Sequence, residues 1–175
     1  GNFLIKQVAQ DLHEELPNLR QFATLSPMPG FRGWLRRQDA EEGLAAAAPI
    51  RALAQAEPAR APDEELRDPL EALAARYLAH QWEDGHVLDP VARFHLGDGA
   101  RLERINWLAD PSTKGLRQSL GMMVNYVYAL EDVERNHESY VNRRVAACSA
   151  SVERLARLAD GEDRGLVGTG GADRR

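Results

Sequence analysis

The run Met122 to Leu130, MMVNYVYAL, carries Val124, Tyr126, Val127 and Tyr128 without a proline or glycine, and reads as the best β-strand in the chain. A strand needs hydrogen-bonding neighbours, so the fold must contain others. Arg20 to Leu25 is a short, mixed stretch compatible with a strand, and Ala100 to Leu108 alternates imperfectly through Leu102, Arg104, Ile105 and Trp107, as an irregular strand does. Tyr126 and Tyr128 lie two apart and so share one face of theirs.

The rest of the sequence reads as helices and turns. Leu4, Ile5, Val8, Leu12 and Leu16 mark an amphipathic helix over 3–16, closed by Pro17 and capped by Asn2. A chain that starts at the mouth of a helix suggests the C-terminal part of something longer. Ser26-Pro27-Met28-Pro29-Gly30 is a rigid turn, followed by a short helix from Phe31 to Arg37. From Gln38 to Pro69 the composition is Ala, Glu, Arg and Pro with few large apolar residues, which reads as a loosely packed helical insertion or linker. Helix resumes from Leu70 to Trp82, and Glu83-Asp84-Gly85-His86 is a turn. Asp89-Pro90 is an N-cap with proline at the first helical position, and Gly97-Asp98-Gly99 is a stop, placing His95 at the end of a short helix. A short helix is expected over 111–118 and one long closing helix over 130–158, with Val133, Tyr140, Val145, Val152 and Leu155 inward. The tail from 161 to 175 reads as disordered.

Composition removes several function classes. The 175 residues fit one domain that buries roughly two-thirds of its unfolded surface. A net charge of −5 gives no general drive toward nucleic acid, and no window approaches the ~20 apolar residues of a membrane span. The first residues lack the pattern of a secretion signal. One cysteine, Cys148, leaves no intramolecular disulfide and no multi-thiolate zinc site. Lysine occurs only at Lys6 and Lys114, which leaves little scope for Schiff-base or pyridoxal chemistry. His80, Glu83, Asp84 and His86 have no metal-ligand spacing and read as solvated surface, as do His13 and His137.

Seven of the eleven aromatics (Phe22, Phe31, Trp34, Phe94, Trp107, Tyr126 and Tyr128) flank the Ser26 turn, the His95 turn and the Met122 strand, so these segments are expected to share a core. A serine at a strand end and a histidine at a helix end, each held by proline or glycine, would suit a preorganised hydroxyl and imidazole pair. The same spacing also allows Ser26 to cap a helix starting at Pro27 or Pro29, and His95 to bond its own turn.

The runs GNFLIKQV, FATLSPMPGFRGWL, DPVARFHLGDGARLERINWLAD, STKGLRQSLGMMVNYVYAL and NHESY, in this order, resemble the C-terminal catalytic part of the malonyl-CoA decarboxylase family. The resemblance covers most of 1–158, with 38–69 and the tail divergent. It implies an α+β fold: the C-terminal portion of a GCN5-type acetyltransferase-like mixed sheet flanked by helices, with the Ala-rich segment as an insertion. Ser26 in LSPMPGF and His95 in ARFHLGDG match the family's catalytic pair, proton acceptor and proton donor respectively. Tyr128 matches a tyrosine that supports the site. Gly1 and Asn2 match the end of the segment that wraps the coenzyme A pyrophosphate, so that Gly1, Asn2, Ser26 and His95 would contact malonyl-CoA. Asp89 and Asp98 stand where asparagine is frequent. The implied reaction is conversion of malonyl-CoA to acetyl-CoA and carbon dioxide with no separate cofactor, in a homo-oligomer such as a tetramer; a terminus reading Asp173-Arg174-Arg175, with no peroxisomal Ser-Lys-Leu address, makes a bacterial-type cytoplasm the expected location. The alternatives are a coenzyme A-dependent acyltransferase and an inactive or assembly segment.

Overall fold

A computed structural model describes residues 4–38, 45, 47–57 and 59–161. It is a mixed α+β chain. The elements are α1 (Leu4–Glu15), β1 (Gln21–Pro27), α2 (Phe31–Arg36), α3 (Ala48–Gln55), a 3-10 turn (Glu64–Leu66), α4 (Arg67–Ala79), β2 (Trp82–Glu83), β3 (His86–Val87), α5 (Pro90–Gly97), β4 (Arg101–Asn106), α6 (Thr113–Ser119), β5 (Met123–Ala129), α7 (Val133–Arg143) and α8 (Ala150–Asp160).

The strand expected from MMVNYVYAL is β5, and it is central: β1 and β4 pair antiparallel to its two sides. Its alternation puts Val124, Tyr126 and Tyr128 on the buried face. Register then sets Ser26 opposite Val124, Thr24 opposite Tyr126 and Phe22 opposite Tyr128. The imperfect alternation of β4 is a bulge between Leu102 and Arg104. A second, two-stranded ribbon, β2–β3, turns at Asp84-Gly85, where both residues have positive φ (50° and 80°), the geometry of a tight two-residue hairpin.

The core lies between the sheet and α2, α4, α5 and α8, filled by Met28, Phe31, Leu70, Leu73, Leu78, Leu96, Leu102 and Leu120. Phe31, Trp34 and Tyr77 form a triangle of rings 5.3–6.0 Å apart, each such pair contributing about 0.5–1.5 kcal/mol beyond area burial. The shared aromatic core holds for Phe31, Trp34, Tyr126 and Tyr128, which are buried, and for Phe22 and Trp107, which are half-buried and pack against it. Phe94 instead is 48% exposed, and the half-buried Trp107 donates its indole N–H to Glu64 (2.8 Å).

Two expectations are corrected. The closing helix over 130–158 is two helices: Arg144 takes a left-handed φ of 54° and ends α7, and α8 starts afresh at Ala150 behind a Ser149 cap that accepts from the Val152 amide. Val145 is therefore exposed rather than inward. The link between them runs extended beside β4, with Leu102 N–H donating to Ala147 (2.8 Å) and Ser149 N–H to Leu102 (2.9 Å). Helical periodicity continued across a point where the sheet offered better partners for the backbone.

The Ala-rich stretch is also better packed than its composition implied. Ile50, Leu53 and Ala54 of α3 are buried, and two arginines of α2 grip its C-terminal end. Arg36 donates to the Ala54 carbonyl (2.8 Å), Arg32 to the Ala56 carbonyl, and both pair with Glu57. Expectations for Gly1, Asn2 and the tail beyond Gly161 fall outside the described residues.

Gly99, just past α5, has φ 86°, and a Cβ there would collide with the Val133 carbonyl at the start of α7. Gly99→Ala is expected to cost about 2 kcal/mol or more in denaturant unfolding, combining the left-handed penalty with the clash. Wild-type stability in that variant would contradict this packing.

Candidate active site

Ser26 stands in the last turn of β1's pairing with β5, before Pro27, and its side chain faces the core. It is a strand residue and caps no helix; the cap position of α2 is Gly30, which offers no side chain to its amides. His95 approaches from the last turn of α5. Asp89 starts that helix by accepting from Val91 N–H (2.9 Å) and Ala92 N–H (3.0 Å), and Pro90 supplies a preset φ. Its far end is held by α7, where Asn136 donates to the Gly99 carbonyl (3.1 Å) and His137 Nδ1–H to the Gly97 carbonyl (2.6 Å). His137 is thus half-buried and structural rather than exposed.

Across 69 residues of sequence the two side chains meet: Ser26 Oγ lies 3.2 Å from His95 Nε2. His95 Nδ1 lies 2.8 Å from the Tyr128 hydroxyl. Ser26 Oγ also donates to Thr24 Oγ1 (3.0 Å). All three of Ser26, His95 and Tyr128 are at most 6% exposed. His95 therefore does not bond its own turn; both ring nitrogens reach the sheet.

Sequence reasoning read Tyr126 as core, and it is buried, but its ring also stacks on the imidazole at 4.4 Å with an interplanar angle of 21°. Thr24 was missed altogether. The strand period would have found it, since it lies two residues before Ser26 on the same face. His80 meets Asp160 (2.6 Å) and Glu153 (3.6 Å) of α8 rather than the Glu83–His86 turn. Among the described residues, no cluster of three or more His, Cys, Asp or Glu has metal-binding geometry.

Burial sets the protonation states. Desolvation pushes His95 down to about 4, so the imidazole is neutral at ordinary pH. Burial first, then the charge of Asp98, pushes the Tyr128 phenol above the usual tyrosine range, which keeps its proton available for donation. Asp98 is itself raised by burial, and its Oδ2 has no hydrogen-bond partner among the described residues. Burial likewise pushes the Cys148 thiol up to about 12, which leaves it a weak nucleophile.

One consequence is measurable as stability. The unfolded chain takes up a proton at His95 near pH 6.5, whereas the folded chain does so only near 4. Falling pH thus favours the unfolded state through this window, by up to about 3 kcal/mol at the acid end. Unfolding free energies of wild type and His95→Gln, measured from pH 7 to 4, are expected to converge or cross in favour of the variant; parallel curves would show that the imidazole is not desolvated.

An α+β chain in which a strand-borne hydroxyl, a desolvated neutral imidazole and a phenol form one buried hydrogen-bonded row has the build of an enzyme domain. Comparison with known proteins gives it a family. The family model described as malonyl-CoA decarboxylase C-terminal domain matches residues 1–165. Mitochondrial malonyl-CoA decarboxylases of Anser anser anser and Rattus norvegicus are 36% and 37% identical over 87% of this chain, which covers 35% and 36% of theirs. The crystal structure of malonyl-CoA decarboxylase from Rhodopseudomonas palustris matches 89% of this chain and 37% of that one, with TM-score 0.75 and 44% identity. The one from Agrobacterium vitis matches 89% of this chain and 40% of that one, with TM-score 0.74 and 45% identity. The chain belongs to the malonyl-CoA decarboxylase family. It spans about a third of the length of the curated relatives it matches. Among the described residues no helix is long and apolar enough to cross a membrane.

Proposed function

We propose that this chain supplies the acid–base pair of a malonyl-CoA decarboxylase, with Ser26 and His95 acting on the malonyl group and Tyr128 fixing the imidazole. The observation that carries the reading is the buried 3.2 Å contact between Ser26 Oγ and His95 Nε2, made by two segments that each bear a family motif.

The reaction breaks the bond between the carboxylate carbon and the α-carbon of a malonyl thioester. Carbon dioxide leaves, the electron pair passes into the thioester as an enolate, and a proton delivered to the α-carbon yields acetyl-CoA. The thioester is its own electron sink, so the reading calls for no separate cofactor. The protein has to hold the carboxylate out of the carbonyl plane, set a donor where the enolate oxygen gains charge, and deliver the proton.

The hydrogen bonds around His95 suit the last two tasks. With Ser26 donating to Thr24, the Ser26 oxygen is free to accept from His95 Nε2–H, and Nδ1 then accepts from the Tyr128 hydroxyl. That sense fixes the tautomer with its proton on Nε2. A neutral imidazole N–H is a weak acid, but the α-carbon of a thioester enolate is a far stronger base than an imidazolate, so transfer from Nε2 to that carbon is downhill. Ser26 orients the malonyl group and relays the proton, and the enclosing rings exclude water from the departing carboxylate.

Gly1 and Asn2 are proposed to complete the pyrophosphate contact of coenzyme A, and the three-stranded sheet to be the C-terminal part of an acetyltransferase-like sheet. The active protein is proposed to be a homo-oligomer in a bacterial-type cytoplasm; the curated relatives named above are mitochondrial by name. The test is carbon dioxide release from malonyl-CoA by the full-length protein with no acceptor present. Free thiol that appears only when an amine acceptor is added would instead favour acyl transfer.

A further inference from the structure

Asp89 caps α5, but its second oxygen faces elsewhere. The residue is fully buried. Oδ1 takes both amides at the start of the His95 helix, while Oδ2 accepts from the Tyr77 hydroxyl of α4 (3.1 Å). The backbone N–H of Gly30 points to the same carboxylate, and the position a Gly30 Cβ would take lies 3.9 Å from Oδ2. Gly30 ends the proline turn that begins at Ser26, and glycine is needed there because a Cβ would overlap the Tyr77 hydroxyl. Tyr77 in turn packs on Phe31 and Trp34 of α2, the helix that this turn feeds. One carboxylate therefore touches both segments that carry the proposed acid–base pair, six residues before His95 and across from the turn four residues after Ser26. Every group around it is a donor, so the ionised form is the one that fits.

We infer that Asp89 is a positioning residue, a buried tie between the start of the His95 helix and the turn after Ser26 that sets the separation of those two side chains. This rests on the reading of Ser26 and His95 given above. Burial opposes the charge on Asp89 and the four donors support it, so the tie is maintained at the expense of an otherwise unfavourable buried ion. An ordinary helix cap would not need that second set of partners.

Two substitutions separate tie from cap. Serine caps a helix about as well as aspartate but cannot reach Tyr77 or Gly30. Asparagine keeps the cap and the length, its amide can donate to the Tyr77 oxygen, and it gives up only the contact with the Gly30 N–H. In the full-length protein, Asp89→Ser is expected to lower kcat about 30-fold or more at nearly unchanged KM, and Asp89→Asn to stay within about fivefold of wild type, because sub-ångström misplacement of reacting groups acts on kcat. Wild-type kcat in folded Asp89→Ser, assayed well below its melting temperature, would reduce Asp89 to a cap and overturn the inference. If Asp89→Ser does not fold, Tyr77→Phe carries the test, with a fall of about threefold or more in kcat supporting the tie and an unchanged kcat overturning it.

A readout independent of turnover distinguishes failure of this inference from failure of the functional reading. The groups facing His95 are Ser26 and Thr24 of β1, Tyr126 and Tyr128 of β5 and its neighbour Phe94, with Asp98 acting on Tyr128. In an NMR titration the wild-type imidazole is expected to stay neutral down to about pH 4, and that of Asp89→Ser, or of Tyr77→Phe in its place, to titrate closer to 6.5 as the contact opens to water. If wild type releases no carbon dioxide yet this shift is seen, the tie stands and the function does not; an unshifted titration sinks the tie alone.

Discussion

His95→Gln in the full-length protein is expected to reduce malonyl-CoA decarboxylation by about a thousandfold in kcat, the middle to upper range for removing a positioned acid or base. Glutamine fills much of the imidazole volume and can still bond Ser26 or Tyr128, so the variant is expected to fold; its amide lacks the paired ring nitrogens through which an imidazole takes up a proton and passes it on. A loss confined to KM would mean that His95 only binds substrate, and retention of more than a tenth of wild-type kcat would remove it from the chemistry.

Ser26→Ala is expected to come second, with a fall of about a hundredfold or more. The hydroxyl is the group that faces Nε2 at 3.2 Å and links the imidazole to Thr24, so its loss leaves the ring without a partner on the substrate side. Stability should change little, since alanine fits a strand position whose backbone pairing with β5 is untouched. Steady-state rates and thermal unfolding measured together check both halves: an inactive variant with a markedly lowered melting temperature would point to a structural serine. The double variant with His95→Gln should be barely worse than His95→Gln alone, because groups acting as one unit are not additive.

The strands and the proline turn were legible because each is written locally. MMVNYVYAL alternates, and Pro27, Pro29 and Gly30 permit few backbone paths. The pairing of Ser26 with His95 was not legible from spacing, which left capping and self-bonding readings open for both. It depends on the antiparallel register that sets Thr24 against Tyr126, and register is a long-range property. Motif resemblance supplied the pair, and the geometry then showed what surrounds it. The stacking of Tyr126 and the double duty of Asp89 stayed hidden because an aromatic in a strand and an aspartate before proline each have an adequate local explanation. The break at Arg144 was missed for the opposite reason: nothing in NRRVAACSAS stops a helix, and only the bulged neighbour at Leu102 draws the backbone away.

That break has a further effect on how molecules of this protein behave toward each other in solution. Exposed sheet margins recruit strands from neighbouring molecules, and a short β-rich margin is where aggregation begins. On the β4 side, Leu102 N–H and C=O are both taken by the Ala147–Ser149 link, and the Ser149 hydroxyl occupies the Glu103 carbonyl. The interruption between α7 and α8 thus works as a selvedge along Leu102 and Glu103, finishing that part of the sheet's outer border from within the same polypeptide and denying it to a second one.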